Sequence, residues 1–211
     1  ESDTVYRVNL SWNATEAAML YATWSEGYRP GGVQRSPFLP DFVSDFLTGP
    51  ERDYTLKAEI AGLQPGTRYF YRFHHGDSVS PTGRAKTLPK GAVAAARFAV
   101  ISCSNYPFGY FNVYDAIAAR DDFDAAIHLG DYIYEYSREG YGGEDGARLG
   151  REHEPPHEIL TLADYRRRHA QYKTDPSLQA AHAAAPWICT WDDHESANDS
   201  YRTGAENHNP E

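Results

Sequence analysis

The sequence predicts a small β-sandwich followed by part of an α/β domain. Three observations point there. Residues 1–89 alternate apolar and polar side chains with period two, broken by Asn, Pro and Gly turns. From Arg97 onward, short wholly apolar runs alternate with segments of helical period, the rhythm of a parallel sheet with crossover helices. Each apolar run also ends in a cluster of polar residues.

The first strand runs from Val5 to Trp12, with Val8, Leu10 and Trp12 on one face, and Ala18–Trp24 follows after the turn Asn13-Ala14-Thr15. The Pro- and Gly-rich stretch Gly27–Thr48 reads as a long loop. Tyr54, Leu56, Ala58 and Ile60 then alternate with Thr55, Lys57 and Glu59. In Leu63-Gln-Pro-Gly-Thr-Arg-Tyr69-Phe-Tyr71-Arg-Phe73 a Pro-Gly turn leads into an alternating Tyr strand, the corner of a fibronectin-III-like sandwich. Tyr69, Tyr71 and Phe73 are expected on its inner face. The segment from Thr87 to Val93 reads as a linker, which makes residues 1–89 one domain and 90–211 the start of another.

In the second part, Phe98–Ser102 reads as a fully buried strand, Val113, Ala116, Ile117 and Arg120 space a helix, and Ala125–Leu129 is a second buried strand. Residues 137–158 form a Gly-, Glu- and Pro-rich loop of a length that is usually functional or mobile. Thr161-Leu-Ala-Asp164 is a capping box opening a helix with Leu162, Tyr165, His169 and Tyr172 along one side. Asp175-Pro176 opens another helix, to about Ala185, and Pro186–Trp191 is a third buried strand. Three strands are too few for a finished α/β domain, so the chain is expected to stop within one, and Thr203–Glu211 has no element to close on.

Composition narrows the function. Apolar residues make up 41% of the chain, enough for packed cores, and 16 tyrosines suit half-buried strands. The net charge of −10 divides into −1 for residues 1–89 and −9 for 90–211. A nucleic-acid surface would carry the opposite sign. Acid concentrated in one segment fits a solvated surface or carboxylates gathered around cations. No apolar run is long enough to cross a membrane. The chain opens on Glu1-Ser2-Asp3-Thr4 with no signal peptide, which a processed N-terminus would also lack.

The three strand ends are Ser102-Cys103-Ser104-Asn105, Gly130-Asp131-Tyr132-Ile133-Tyr134 and Asp192-Asp193-His194-Glu195. In open α/β sheets ligands bind beyond such edges, where neighbouring loops converge. One strand-end carboxylate is ordinary surface chemistry, whereas three acid- or thiol-bearing strand ends in succession make a site. Each residue also has a plainer reading: a turn for Gly130-Asp131, packing for Tyr134, a cap for His194.

This order of motifs resembles the PhoD-like branch of the metallophosphoesterases. So do Leu162-Ala-Asp-Tyr-Arg-Arg-Arg-His-Ala-Gln-Tyr172, Ala180-Ala-His-Ala-Ala-Ala-Pro-Trp187 and the N-terminal sandwich. The resemblance implies a layered α/β/β/α phosphatase domain that hydrolyses phosphate mono- or diesters with Fe3+ and Ca2+. By it, Asp131 bridges the two metals, Tyr134 is a phenolate and Cys103 a thiolate ligand to iron, and Asp193 takes the place of a metal-ligating Asn. His194 contacts phosphate or protonates the leaving group. Asn105 and Asn198 are weaker candidates for substrate or supporting contacts. Superfamily members more usually carry Asp-x-His where Ser102-Cys103-Ser104 stands, a departure that matches this branch. The resemblance further implies a secreted, periplasmic or cell-surface protein, acting as a monomer on a phosphate-ester or phosphodiester substrate. Such sites also draw histidines from later strands, and none of that kind follows before Glu211.

Oxygen ligands such as Asp131 and Asp193 suit calcium, and thiolate and phenolate suit ferric iron. Cys189, within an apolar strand, is expected in the core, with a Cys103–Cys189 disulfide as the alternative. His153-Glu-Pro-Pro-His157 matches the H-E-x-x-H zinc pattern, but Pro155-Pro156 prevents the helix that chemistry needs. His128, His169 and His182 read as packing or supporting residues. Two rival readings remain: a non-catalytic binding module, and an inactive fragment of the phosphatase.

Overall fold

A computed structural model describes residues 7–15, 18–25, 49–58, 60–75 and 77–206. The loop expected at Gly27–Thr48 and the tail from residue 207 lie outside the described residues. The chain divides into two compact units, residues 1–96 with 182–186, and residues 97–181 with 187–211.

In the first unit, β1 (Arg7–Thr15) pairs antiparallel with β2 (Ala18–Ser25), Trp12 opposite Leu20, and parallel with β3 (Thr55–Ala58), Val8 beside Leu56. A second pairing joins β4 (Arg68–Tyr71) to β7 (Gly83–Lys86), with Tyr69 opposite Ala85. Between them β5 (His74–His75) and β6 (Ser78–Val79) form a short hairpin. The corner before β4 is closed by the Gln64 N–H, which donates to the Tyr69 hydroxyl at 2.8 Å. Thr87 holds it from the other side, its hydroxyl donating to the Gln64 carbonyl at 2.6 Å. Tyr69 and Tyr71 are half-buried while Phe70 faces solvent, as the alternation requires.

In the second unit, β8 (Phe98–Ile101), β9 (Ala125–His128) and β10 (Trp187–Cys189) are parallel in the order β10-β9-β8. The crossovers carry α1 (Asn112–Ala118), α2 (Gly143–Leu149), α3 (Leu162–Tyr172) and α4 (Pro176–Ala184). The caps follow the sequence. Thr161 and Asp164 form a reciprocal capping box, and Asp175 accepts from the Ser177 and Leu178 N–H groups at 3.0 and 3.2 Å. Ile101, Ala126 and Trp187 on one face of the sheet pack with Tyr114, Tyr172 and Leu178 into the core.

Four expectations are corrected. β8 is not buried on both faces: Phe98 and Val100 are 49% and 61% exposed, because the core lies on the side of Ala99 and Ile101. Cys189 is exposed rather than in the core, and both cysteines are free thiols. The stretch 137–158 is not all loop. It contains α2, a seven-residue helix framed by Gly142 and Gly150 in left-handed conformation, too short and too glycine-rich to show a period. In α1 the inward residues are Tyr114 and Ile117, while Val113 faces outward.

Candidate metal centre

The site is assembled where β8, β9 and β10 end. Two backbone bonds join the first two ends: the Cys103 N–H donates to the Gly130 carbonyl at 3.2 Å, and the Ser104 N–H to the Asp131 carbonyl at 3.0 Å. Both chains turn sharply there. Cys103 and Asp131 have φ of 60° and 52°, left-handed values that non-glycine residues adopt at some cost. Gly130 has φ of 114°, and a Cβ on it would overlap the Asp192 amide nitrogen. Only glycine lets the β9 and β10 ends approach so closely.

These turns bring Asp131, Asp193 and His194 together, with ligand atoms of all three within 4.8 Å of one another. Asp131 and His194 are buried and Asp193 half-buried. Asp131 Oδ2 accepts from the Tyr134 hydroxyl at 3.3 Å, and Asp193 Oδ2 from the Asp199 N–H at 2.6 Å. Asp131 Oδ1 is buried with no hydrogen-bond donor. Two carboxylates this close repel each other, and an orphaned carboxylate oxygen is costly to bury. A cation would satisfy both. The two carboxylates fit one, and the His194 imidazole lies beside them.

Tyr134 lies under this cluster, its ring 4.1 Å from that of His194. Burial, then the charges of Asp131 and Cys103, push its phenol far above the usual value. Only a neighbouring positive charge would reverse that. The Cys103 thiol is exposed and does not join the three-residue cluster. Burial alone would lower the pKa of His194, but the hydrogen bond and charge of Glu135, followed by Asp131 and Asp193, leave it raised.

The two asparagines point elsewhere. Asn105 is buried, its oxygen accepting from the Tyr172 hydroxyl at 3.4 Å and its amide donating to the Tyr141 carbonyl at 3.3 Å. The Asn198 amide donates to Asp199 at 3.5 Å and to Glu206. His128 supports the β8 end. Its Nε2 lies 3.4 Å from the Ser104 hydroxyl and 3.2 Å from that of Tyr114, while Nδ1 accepts from the Gly130 N–H at 3.3 Å. The H-E-x-x-H pattern has no helix. His153 is buried 3.2 Å from the Tyr172 hydroxyl, and exposed His157 pairs with Asp164 at 3.1 Å.

Three supporting residues had no role in the sequence reading. Glu135 is fully buried and lies 2.9 Å from His194 Nδ1. Glu195 accepts from the N–H groups of Asp131, Tyr132, Ile133 and Asp192 at 3.0, 2.5, 3.4 and 2.8 Å. The buried Arg168 guanidinium donates to the carbonyls of Tyr134, Tyr136, Glu154 and Pro155. The two glutamates adjoin the motifs that supply the cluster, Glu135 following Tyr134 and Glu195 following His194, but their partners lie about 60 residues away. Arg168 adjoins no such motif, being one of three consecutive arginines.

Comparison with known proteins fixes the lineage. The family model described as PhoD-like phosphatase matches residues 98–211, more than half of the chain and the whole of the centre. The chain belongs to the PhoD-like phosphatase family. The N-terminal domain of PhoD-like phosphatases matches residues 42–89. Alkaline phosphatase D of Bacillus subtilis (strain 168) is 47% identical over 154 residues, covering 72% of this chain and 26% of that protein. A solved structure of PhoD superposes with a TM-score of 0.57 at 44% identity, covering 67% of this chain and 27% of that one. The chain thus spans about a quarter of the length of the PhoD-like relatives it matches.

Proposed function

We propose that this chain carries one side of the catalytic centre of a phosphoric-ester hydrolase of the alkaline phosphatase D kind, acting on mono- or diesters. Family membership supports the reaction class, and the single observation that carries the site is Asp131. Its carboxylate faces Asp193 and His194 within 4.8 Å and keeps one buried oxygen without a donor.

In this reading Asp131 and Asp193 hold cations, with Tyr134 and Cys103 on the side of a ferric ion and the carboxylate oxygens toward calcium. Bound there, the cations would neutralise the phosphate oxygens and make a water molecule acidic enough to attack at ordinary pH. His194, buried beside the two carboxylates, gives a proton to the departing alcohol oxygen. Asn105 and Asn198 are supporting residues in this scheme, Asn105 holding Tyr172 and Asn198 closing onto Glu135.

The same reading makes residues 1–89 a fibronectin-III-like sandwich and 90–211 the beginning of a layered phosphatase domain. The Gln64–Tyr69 bond supports the sandwich, being the contact of a tyrosine corner. The protein would act outside the cytoplasm as a monomer on a phosphate-ester substrate, without a nucleic-acid surface. No helix among the described residues is long and apolar enough to cross a membrane.

Elemental analysis of the full-length protein tests the centre. Asp131→Asn should lose its metal, while Asn105→Ala should keep it. Equal metal retention in the two variants would overturn the assignment.

A further inference from the structure

Three aromatic rings follow one another outward from His194. Between centroids, Tyr136 lies 5.4 Å from the imidazole, Tyr141 lies 5.8 Å from Tyr136, and Phe108 lies 4.8 Å from Tyr141. The interplanar angles are 57°, 61° and 77°, the tilted and edge-to-face arrangements in which aromatic pairs attract. Tyr136 is half-buried, but Tyr141 and Phe108 are 58% and 46% exposed. Apolar side chains scattered singly over a surface are ordinary. A contiguous row that starts at the cation cluster marks a place for a ligand.

The row is held from beneath. Phe108 ends a 3-10 turn, Tyr106–Phe108, and its N–H donates to the Asn105 carbonyl at 3.3 Å. The buried Asn105 side-chain amide donates to the Tyr141 carbonyl at 3.3 Å, so one residue fixes the backbone under both exposed rings. Arg151 Nε donates to the Tyr106 carbonyl at 2.9 Å and secures the same turn. Gly142 has φ of 89°, and a Cβ on it would come within 3.4 Å of the Phe108 ring. Rings supported in this way lose little freedom when a ligand meets them.

We infer that Tyr136, Tyr141 and Phe108 form a subsite for the alcohol part of the ester, and that this alcohol carries an aromatic ring. The inference rests on the phosphatase reading above, with the phosphate at the cations and its ester group lying along the row. A planar ring can meet the exposed faces and edges of Tyr141 and Phe108 in the geometries those rings already adopt with each other. A second phosphate is disfavoured there. The row belongs to residues 90–211, which carry −9 of the net charge, and the exposed Glu139 and Glu144 precede and follow Tyr141 in the chain. The subsite therefore selects an ester of a neutral, ring-bearing alcohol over a polyanionic one.

Propyl phosphate and 3-phenylpropyl phosphate test this, because both release a primary alcohol and differ only in the distant ring. The full-length, metal-loaded protein should hydrolyse the phenylpropyl ester with a kcat/KM at least tenfold higher, chiefly through a lower KM. Tyr141→Ala and Phe108→Ala should each cut that ratio at least threefold, with metal content and Tm unchanged. Tyr141→Phe keeps the ring and should keep the ratio. If one of the alanine variants does not fold, the other decides the matter. Calorimetric binding of propylphosphonate and 3-phenylpropylphosphonate, which have no ester bond to break, reads the same preference without turnover.

Equal kcat/KM for the two esters in the wild type, or a ratio that both alanine variants leave unchanged, would overturn the subsite. Hydrolysis of both esters would then leave the phosphatase reading standing, with the three rings serving only to pack. If neither ester is hydrolysed, the phosphatase reading falls and the phosphonates judge the subsite. Tighter binding of 3-phenylpropylphosphonate that Tyr141→Ala abolishes would uphold it, and equal binding would overturn it.

Discussion

The Glu195 carboxylate accepts the backbone N–H of Asp131 at 3.0 Å, across 64 residues of sequence. The same group takes the N–H of Asp192 at 2.8 Å. One side chain thereby links the loop that carries Asp131 to the loop that carries Asp193 and His194. Groups that orient metal ligands without touching the metal commonly change affinity by about 10- to 100-fold when removed. Glu195→Gln would set an amide N–H against backbone donors and leave at least one of them unpaired, at a cost of about 1–3 kcal/mol. Metal titration should show at least a tenfold weaker affinity, and denaturant unfolding a lower midpoint. Wild-type affinity in a variant of reduced stability would show that Glu195 supports the fold and not the centre.

Acid should weaken the second unit through its buried histidines. Burial pushes the His128 imidazole down to about 4, and burial with the Arg168 charge pushes His153 down to about 3. Both are buried neutral, so the unfolded chain binds protons below about pH 6.5 that the folded chain refuses. The stability these residues contribute is complete above that pH and falls by about 1.4 kcal/mol per pH unit for each histidine as pH drops toward their folded values. His194, with its raised pKa, has the opposite sign: its contribution is present at low pH and lost as pH rises through its folded value. Unfolding free energies of the metal-free chain, measured between pH 7 and pH 5, should decline on the acid side. A flat profile over that range would contradict the neutral burial of these rings.

The connection between the two units should be the first site of proteolysis. Every residue from Leu88 to Phe98 is exposed, and no helix or strand forms between Lys86 and Phe98. Exposed segments without regular hydrogen bonds are where proteases gain entry. Limited digestion should cut between Thr87 and Ala95 and leave the β4–β7 region intact. Preferred cleavage within Tyr54–Phe73 would move the boundary.

The elements legible in the sequence were those specified locally. Thr161 and Asp164 satisfy each other within one turn, and Asp175-Pro176 sets a helix start without help from the rest of the fold. The polar strand ends were legible because β8, β9 and β10 are parallel and adjacent, so residues at the same end must meet. What escaped depends on contacts between distant segments. Glu135 and Glu195 acquire roles only once His194 and the Asp131 amides lie beside them, some 60 residues away in the chain. The buried reading of β8 failed for a related reason: an apolar run does not reveal whether one face or both will be covered, and Val100 faces away from the core. Asn105 shows the limit of motif position, since it sits at a strand end yet its amide turns to Tyr172 and Tyr141.

Colour would separate a ferric centre from an ordinary two-cation phosphatase site. A phenolate on ferric iron absorbs visible light by charge transfer, whereas calcium, zinc and magnesium have no such transition. In the proposed scheme Tyr134 takes that role, and its hydroxyl donates to Asp131 Oδ2 at 3.3 Å, within reach of an ion held by that carboxylate. Without a cation, burial and the Asp131 charge keep the phenol protonated. Binding of a strong Lewis acid must therefore expel a proton, and the band should appear only with iron. The Cys103 thiol is exposed at the neighbouring strand end, and the proposed scheme assigns it to the same ion. The full-length protein should be coloured as isolated, and Tyr134→Phe should abolish or shift the band without lowering Tm, because the ring contact with His194 survives. A colourless protein with its metals bound, or an unchanged spectrum in the Phe variant, would rule out the iron–phenolate assignment. Asp131, Asp193 and His194 would then form a plain carboxylate–imidazole centre, and Tyr134 would serve only to pack against the His194 ring.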